Sequence, residues 1–148
     1  MKNIPSLRER ALAMLARREH TRMELARKLG PHAESAEQID TLLDQLVACG
    51  WLSETRFAES RATTLARKFG SRKIEHDLKS RGVSAEVVEH TVEQARTQEL
   101  ANCRAAWQRK FGALPQSAAE RGRQMRFLAA RGFSAEAVRQ VLKAGDRD

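Results

Sequence analysis

The sequence predicts an all-α protein made of three tandem three-helix repeats, helix-turn-helix-like in form and arranged in an elongated array. Apolar residues recur at the three- and four-residue spacing of a helix face, and capping residues precede these segments. No segment alternates apolar and polar residues with a period of two, so no sheet is expected. One pattern occurs three times at a period near fifty residues, which is typical of a repeat protein.

The repeated pattern is clearest in residues 70–92. Ile74 and Leu78 lie one helical turn apart, and Gly82 can end that helix. Ser84 then begins another helix, because its hydroxyl can accept a hydrogen bond from a free backbone N–H of the next turn. The equivalent apolar and capping residues are Leu25, Leu29 and Ser35 in the preceding copy, and Leu128 and Ser134 in the following copy.

The period divides the chain into repeat 1 (residues 1–52), repeat 2 (residues 53–97) and repeat 3 (residues 98–148). A unit of this size buries little apolar surface alone, so neighbouring repeats are expected to share packing or to gain stability from a partner. Three capping boxes mark the helices of repeat 1. Their predicted starts and ends are Ser6 to about Arg18, Thr21 to Gly30, and Ser35 to Gly50.

The helices of repeats 2 and 3 follow from the same signals. Their predicted spans are Ser53 to Gly70, residues 71–81 and Ser84 to about Arg96 in repeat 2, then Gln98 to Phe111, Ser117 to Arg131 and Ser134 to Leu142 in repeat 3. Phe111-Gly112 is expected to repeat the helix end at Phe69-Gly70. Asp146-Arg147-Asp148 is expected to fray.

The net charge is +8 and the isoelectric point is near 10.3, which favours polyanionic surroundings. Residues 98–148 are the most basic part, with ten Lys and Arg against five Asp and Glu. Aromatic residues make up 5% of the chain and Tyr is absent, which argues against a surface that stacks bases on rings. The aromatic residues, including Trp51, fall mostly at apolar-face positions or repeat junctions, and are expected to fill space between helices.

Catalytic and metal-binding motifs are absent from the sequence. The four histidines are scattered, and no HExxH, P-loop or glycine-rich dinucleotide turn occurs, so no enzyme activity and no cofactor are expected. Cys49 and Cys103 lack the spacing of a metal site or a disulfide framework and are expected to be reduced core thiols. No stretch resembles a signal peptide or a membrane span, so a cytoplasmic location is expected.

Basic residues at unfavourable helix positions are candidates for contact with an external anion. Lys and Arg in a last helical turn complement the helix dipole, and this explains about half of the basic pairs. Arg72 and Lys73 instead stand at a helix start, where positive charge is unfavourable. Arg121, Arg123 and Arg126 crowd the first half of another helix, with only Glu120 to offset them.

A helix-turn-helix unit in a basic protein also suggests a DNA-binding transcriptional regulator. The third helix of repeat 2 argues against sequence reading, because Glu86, Glu89 and Glu93 would repel phosphates. A structural adaptor is the remaining alternative.

The residues resemble the RecX family, the bacterial regulators of the RecA recombinase. The resemblance rests on Trp51 to Ala58 (WLSETRFA), Gly70 to Ile74 (GSRKI) and Leu78 to Val83 (LKSRGV), and it spans all three repeats. It departs from the family at Ser53, where an acidic residue is frequent, and repeat 3 is generally the loosest match.

The resemblance implies a regulator in DNA repair, recombination and the SOS response that is not an enzyme. Its partners would be the RecA filament and single-stranded DNA, contacted directly or through RecA, with no membrane and no small-molecule substrate. It would lodge in the filament groove and inhibit RecA ATPase, strand exchange and coprotease activity. The candidate contact residues are Arg72, Lys73, Lys79, Arg81, Arg109, Lys110, Arg121, Arg123 and Arg126.

Overall fold

A computed structural model describes residues 3–143, and within that range the chain forms helices and no strand. The nine α-helices are α1 (Leu7–Arg17), α2 (Arg22–Leu29), α3 (Ala36–Ala48), α4 (Glu54–Leu65), α5 (Ser71–Ser80), α6 (Ala85–Thr97), α7 (Glu99–Lys110), α8 (Ala118–Ala130) and α9 (Ala135–Lys143). The all-α prediction of three three-helix units is confirmed. Asp146-Arg147-Asp148, predicted to fray, lies outside the described residues.

Side-chain capping sets most helix starts, as the sequence predicts. In each case a hydroxyl oxygen accepts from the backbone N–H three residues later, at 3.0 to 3.5 Å. The capping residues are Ser6, Thr21, Ser35, Ser53, Ser84, Ser117 and Ser134. The second half of the capping box differs, because Gln38 and Glu120 accept from the residue before the cap instead of from the cap itself.

Each repeat has its own hydrophobic core. Leu29, Leu78 and Leu128, which the pattern places at equivalent positions, are all fully buried in separate clusters. In repeats 2 and 3 the turn between the second and third helices uses Gly82 and Gly132 at φ of 81° and 91°, values that glycine adopts without strain. Repeat 1 uses a 3₁₀ turn instead. The exact limits 1–52, 53–97 and 98–148 stay predictions.

Three local expectations are wrong. Helix α4 ends at Leu65, four residues before Phe69. Gly70 has extended backbone and starts α5, whereas Gly112 has a φ of 70° and follows the end of α7, so the two Phe-Gly pairs are not equivalent. Cys49 is exposed, because it lies at the C-terminal end of α3 outside the core, while Cys103 is buried as expected.

Candidate functional site

Repeats 2 and 3 meet at a close contact of two backbone segments. The N–H of Gly70 donates to the carbonyl of Arg131 at 2.9 Å, and the N–H of Arg72 donates to the carbonyl of Gly132 at 3.2 Å. A Cβ atom at position 70 would lie 2.5 Å from the Gly132 oxygen, so only glycine fits there. The start of α5 and the turn after α8 are thereby fixed against each other.

A buried carboxylate completes this junction. Glu99, at the start of α7, is 7% exposed and accepts from the backbone N–H of Ser71 at 2.8 Å and from its hydroxyl at 3.0 Å. The sequence places no acidic residue in the first turn of α5, and Glu99 from repeat 3 supplies that missing negative charge. The positions of Arg72 and Lys73 are therefore less unfavourable than the sequence indicates.

Four cations line a groove beside this junction, which we call the basic groove. It has a volume of about 190 Å³ and is lined by Lys68, Arg109, Lys110 and Arg131 together with Ala106 and Phe127. None of the acidic side chains in residues 3–143 lines it. In residues 3–143 none of the four cations forms an ion pair, so their charge is available to an anion from outside.

Aromatic rings hold two of these cations in place. The Arg131 guanidinium lies 5.3 Å from the Phe69 ring centre and 5.0 Å from that of Phe127, and the Lys110 ammonium lies 5.5 Å from Phe127. Phe127 is itself fixed by an edge-to-face contact with Phe111 at 5.4 Å. The rings here position the charge of Arg131 and Lys110.

The structure brings some of the predicted residues together. Arg109 and Lys110 line the basic groove, and the Arg109 guanidinium also donates to the carbonyl of Arg67. Arg72 and Lys73 are exposed in the first turn of α5, next to the turn that carries Arg131.

The α8 arginines are spread along their helix. Arg123 precedes Phe127 by one turn, which places it on the helix face that leads into the basic groove. Arg126 is the ninth of thirteen residues of α8, so the expectation that it lies in the first half of the helix is wrong. Its guanidinium folds back over Gly122. Arg121 is half-buried near the start.

Lys79 and Arg81 bind carboxylates within the molecule. Lys79 pairs with Glu75 at 2.8 Å. Arg81 pairs with Asp77 at 3.0 Å and reaches Glu24 of repeat 1 at 3.4 Å. Both are therefore less available to an outside anion than the groove cations.

Asp77 is the centre of this ion-pair group. The Arg61 guanidinium donates to both of its oxygens, at 2.9 and 3.0 Å. Hydrogen bonding from Arg61, and more weakly the charge of Arg81, hold the pKa of Asp77 below its ordinary value. Arg81 then connects this group to repeat 1, where Glu24 also accepts from Arg18 at 3.0 Å.

Sequence reasoning missed Lys68, Arg131 and Phe127 as site residues. The predicted helix from Ser53 to Gly70 would place Lys68 in its last turn, but α4 ends at Leu65 and Lys68 lines the groove. Arg131 lies at the end of α8, where a cation is explained by the helix dipole alone. The available signal is that Phe127 and Arg131 are four residues apart on a helix face that already carries Arg123.

No reactive group stands out among residues 3–143. In that range no group of three or more His, Cys, Asp or Glu side chains is placed to hold a metal ion, and no helix is long and apolar enough to cross a membrane. Burial raises the pKa of the Cys103 thiol to about 12, so this cysteine is inert at neutral pH.

Comparisons with known proteins agree along nearly the whole chain. Residues 8–46, 53–92 and 97–142 match family models described as the first, second and third three-helix domains of RecX. A regulatory protein RecX of Chromobacterium violaceum is 44% identical over 97% of this chain and 93% of its own length. One from Leptothrix cholodnii is 46% identical over 97% and 91%.

Solved structures show the same fold. The crystal structure of RecX from Lactobacillus salivarius superimposes with a TM-score of 0.81 at 16% identity, over 95% of this chain and 94% of that one. A second crystal structure of a regulatory protein RecX gives a TM-score of 0.76 over 91% of this chain and 70% of that one. Sequence and fold together place this chain in the RecX family of regulatory proteins.

Proposed function

We propose that this protein regulates the RecA recombinase in the cytoplasm by binding the filament that RecA forms on single-stranded DNA. Binding in the filament groove would inhibit RecA ATPase, strand exchange and coprotease activity. Family membership supports a regulator, and the basic groove is the physical observation that supports a partner containing nucleic acid. Each phosphate neutralised by a Lys or Arg releases condensed counterions.

The contact residues in this proposal follow from which cations carry uncommitted charge. Lys68, Arg109, Lys110 and Arg131 form the centre because, among the residues that the structure describes, no carboxylate competes for them in the groove. Arg72 and Lys73 extend the surface at the start of α5. The α8 residues Arg121, Arg123 and Arg126 extend it on the other side. Lys79 and Arg81 come last because each already binds a carboxylate.

The alternative of a DNA-binding transcriptional regulator has less support. Glu86, Glu89 and Glu93 are exposed on α6, the third helix of repeat 2, which would have to enter the major groove. A sequence-reading helix with this charge would repel the phosphates on both sides.

The direct test is to titrate the protein into a reaction containing RecA, ATP and single-stranded DNA while ATP turnover is measured. We expect turnover to fall at or below one copy per RecA. Unchanged turnover, together with a footprint on a defined duplex sequence, would favour the transcriptional regulator. If the protein neither lowers ATP turnover nor gives a footprint on duplex DNA, a structural adaptor remains as the explanation.

Charge-neutralising variants test the contact residues. The change Arg72→Gln with Lys73→Gln should weaken filament binding by about 1 to 3 kcal/mol and reduce its salt dependence. Arg8→Gln with Arg10→Gln is the matched control, because it also removes two cations from a first helical turn, and Arg8 is exposed and is the second residue of α1, as Arg72 is of α5. If the double variant at Arg72 and Lys73 binds RecA filaments as tightly as the control variant does, these α5 residues are not part of the contact surface.

A further inference from the structure

Repeat 1 is joined to repeat 2 in a different way from that in which repeat 2 is joined to repeat 3. The buried apolar clusters of repeats 1 and 2 have no residue in common. Among residues 3–143 no backbone hydrogen bond crosses from repeat 1 to repeat 2, whereas the N–H groups of Gly70 and Arg72 in repeat 2 donate to carbonyls of repeat 3. Backbone contacts therefore fix repeats 2 and 3 against each other, while side chains hold repeat 1 in place.

The chain passes from repeat 1 to repeat 2 between Leu52 and Ser53. The N–H of Leu52 donates to the carbonyl of Leu46 at 3.1 Å, and its side chain is 3% exposed in the core of repeat 1. The hydroxyl of Ser53 instead accepts from the N–H of Arg56 at 3.2 Å and caps α4. Two successive residues are thus tied to different repeats, and rotation of repeat 1 would take place at the connection between them.

Two arginines of repeat 2 bridge this connection. Arg56 in α4 pairs with Glu19 at 2.9 Å and also donates to two backbone carbonyls at the end of repeat 1, at 2.7 and 3.2 Å. Arg81, at the end of α5, pairs with Glu24 at 3.4 Å. Within residues 3–143 these are the ion pairs that cross from repeat 1 to repeat 2.

The Arg81 pair belongs to a row of five alternating charges. The Glu24 carboxylate lies between Arg18 and Arg81. The Asp77 carboxylate lies between Arg81 and Arg61. If repeat 1 moves away, Arg81 keeps its 3.0 Å contact with Asp77, and Glu24 keeps its 3.0 Å contact with Arg18. The contact between the repeats can therefore break without leaving a charge unpaired, which lowers the cost of breaking it.

An apolar side chain also touches repeat 2 from repeat 1. The methyl group of Met23 would lie 2.6 Å from a Cβ atom placed on Gly82, so it packs directly over that glycine. Met23 is 51% exposed, and its unbranched side chain can change shape. This contact therefore adapts to a change in the angle between the repeats instead of preventing it.

We propose that repeat 1 is a hinged arm that rotates about residues 52–53, and that the ion pairs of Arg56 and Arg81 form a latch that holds it against repeat 2. Repeats 2 and 3 move together, because backbone hydrogen bonds join them. Salt loosens the latch, because its ion pairs are only partly buried. The angle of repeat 1 then depends on ionic strength, while the basic groove lies outside the moving part. Neither the hinge nor the latch depends on what the protein binds.

The test measures the distance between two spin labels in the full chain. One label is attached to Cys49 in repeat 1, and the other to the cysteine introduced by Arg104→Cys in α7. A second pair, made by Glu89→Cys with Arg104→Cys in a Cys49→Ser background, reports on repeats 2 and 3 alone. The three labelled positions are exposed, whereas Cys103 is buried and stays unlabelled.

The double change Arg56→Gln with Arg81→Gln removes the latch. Lys79→Gln with Arg139→Gln is the matched control, because each of these cations pairs with a carboxylate of its own helix. Losing one partly exposed ion pair should change the ratio of attached to detached repeat 1 by up to about fivefold, and losing both by up to about twenty-five-fold.

We expect the distance distribution between repeats 1 and 3 to be narrow in the wild type at about 0.1 M salt and to broaden at about 1 M salt. The latch variant should show the broad distribution at both salt concentrations. The control variant should behave like the wild type. The distribution between repeats 2 and 3 should stay narrow in every case.

Three results would overturn the proposal. A latch variant with the narrow wild-type distribution would show that the two arginines do not hold repeat 1. A wild-type distribution that does not change with salt would show the same of their ion pairs. Equal broadening between repeats 2 and 3 would show that the whole chain loosens. Arg81→Gln alone, which should broaden the distribution less, replaces the double variant if that variant loses its helical circular dichroism.

Discussion

Replacing Gly70 with alanine measures how tightly repeats 2 and 3 are joined. The new Cβ atom would lie 2.5 Å from the carbonyl oxygen of Gly132, closer than the 3.0 Å that Cβ atoms in proteins respect. The backbone of Gly70, with φ of −90° and ψ of −179°, is open to alanine, so the cost comes from the contact and not from the dihedral angles. The atoms that the new Cβ would meet belong to the backbone of Gly132 and Phe133, so they cannot rotate away as a side chain could.

The expected loss of stability follows from the contacts that must separate to admit the new Cβ atom. Separating the two segments weakens the hydrogen bonds from Gly70 to Arg131 and from Arg72 to Gly132, each worth about 0.5 to 1.5 kcal/mol. Overpacking a close contact adds about 1 to 3 kcal/mol. We therefore expect Gly70→Ala to lower the free energy of unfolding by about 2 to 6 kcal/mol.

Urea unfolding followed by circular dichroism measures this loss. Gly122→Ala is the control, because Gly122 lies inside α8 and a Cβ atom there would meet only the movable guanidinium of Arg126, at 3.0 Å. That change should leave stability equal or raise it by up to about 1 kcal/mol, since alanine restricts the unfolded chain. A Gly70→Ala variant within about 0.5 kcal/mol of the wild type would refute the close contact.

Three further predictions concern ionisable groups. A thiol reagent at pH 8 should label Cys49 quickly, because it is exposed. Cys103 should be labelled only after unfolding, because burial raises its pKa to about 12. Fast labelling of both cysteines would contradict the burial of Cys103. Because hydrogen bonding to Arg61 lowers the folded-state pKa of Asp77 below 3.8, its stabilisation is complete above that value and is lost as the pH falls below it. Asp77→Asn should therefore be less stable at pH 7 and show a shallower decline in stability below about pH 4; an unchanged acid profile would exclude this role. Glu99→Gln should lower the free energy of unfolding by about 1 to 2 kcal/mol at neutral pH, because a charged acceptor at the start of α5 is lost, and an unchanged urea midpoint would contradict that.

Local chemistry made the helices predictable from the sequence. A serine hydroxyl at position 84 or 117 needs only the next three residues to cap its helix. Leu29 and Leu78 are buried because they occupy the same place in copies of one unit. The end of α4 was harder to predict, since Phe69 continues the four-residue spacing of Phe57 and Leu65 while residues 66–68 form turns.

The candidate site was only partly predictable because its parts come from distant segments. Arg109 and Lys110 are adjacent in sequence and are both among the predicted contact residues. No spacing rule connects Phe69 with Arg131, or Ser71 with Glu99, because those pairs exist only once repeats 2 and 3 are packed. The sequence shows which cations exist, and the fold determines which of them lack a carboxylate partner.

The two repeat junctions differ in how they respond to salt, and this affects how binding data are interpreted. Repeats 2 and 3 are joined by backbone hydrogen bonds and the buried Glu99 carboxylate, which ionic screening affects little. Repeats 1 and 2 are joined in part by an ion pair between partly exposed side chains, Arg56 with Glu19, which salt weakens. The basic groove should therefore keep its shape as the salt concentration rises, so the salt dependence of its binding reports phosphate contacts and not a change in the groove.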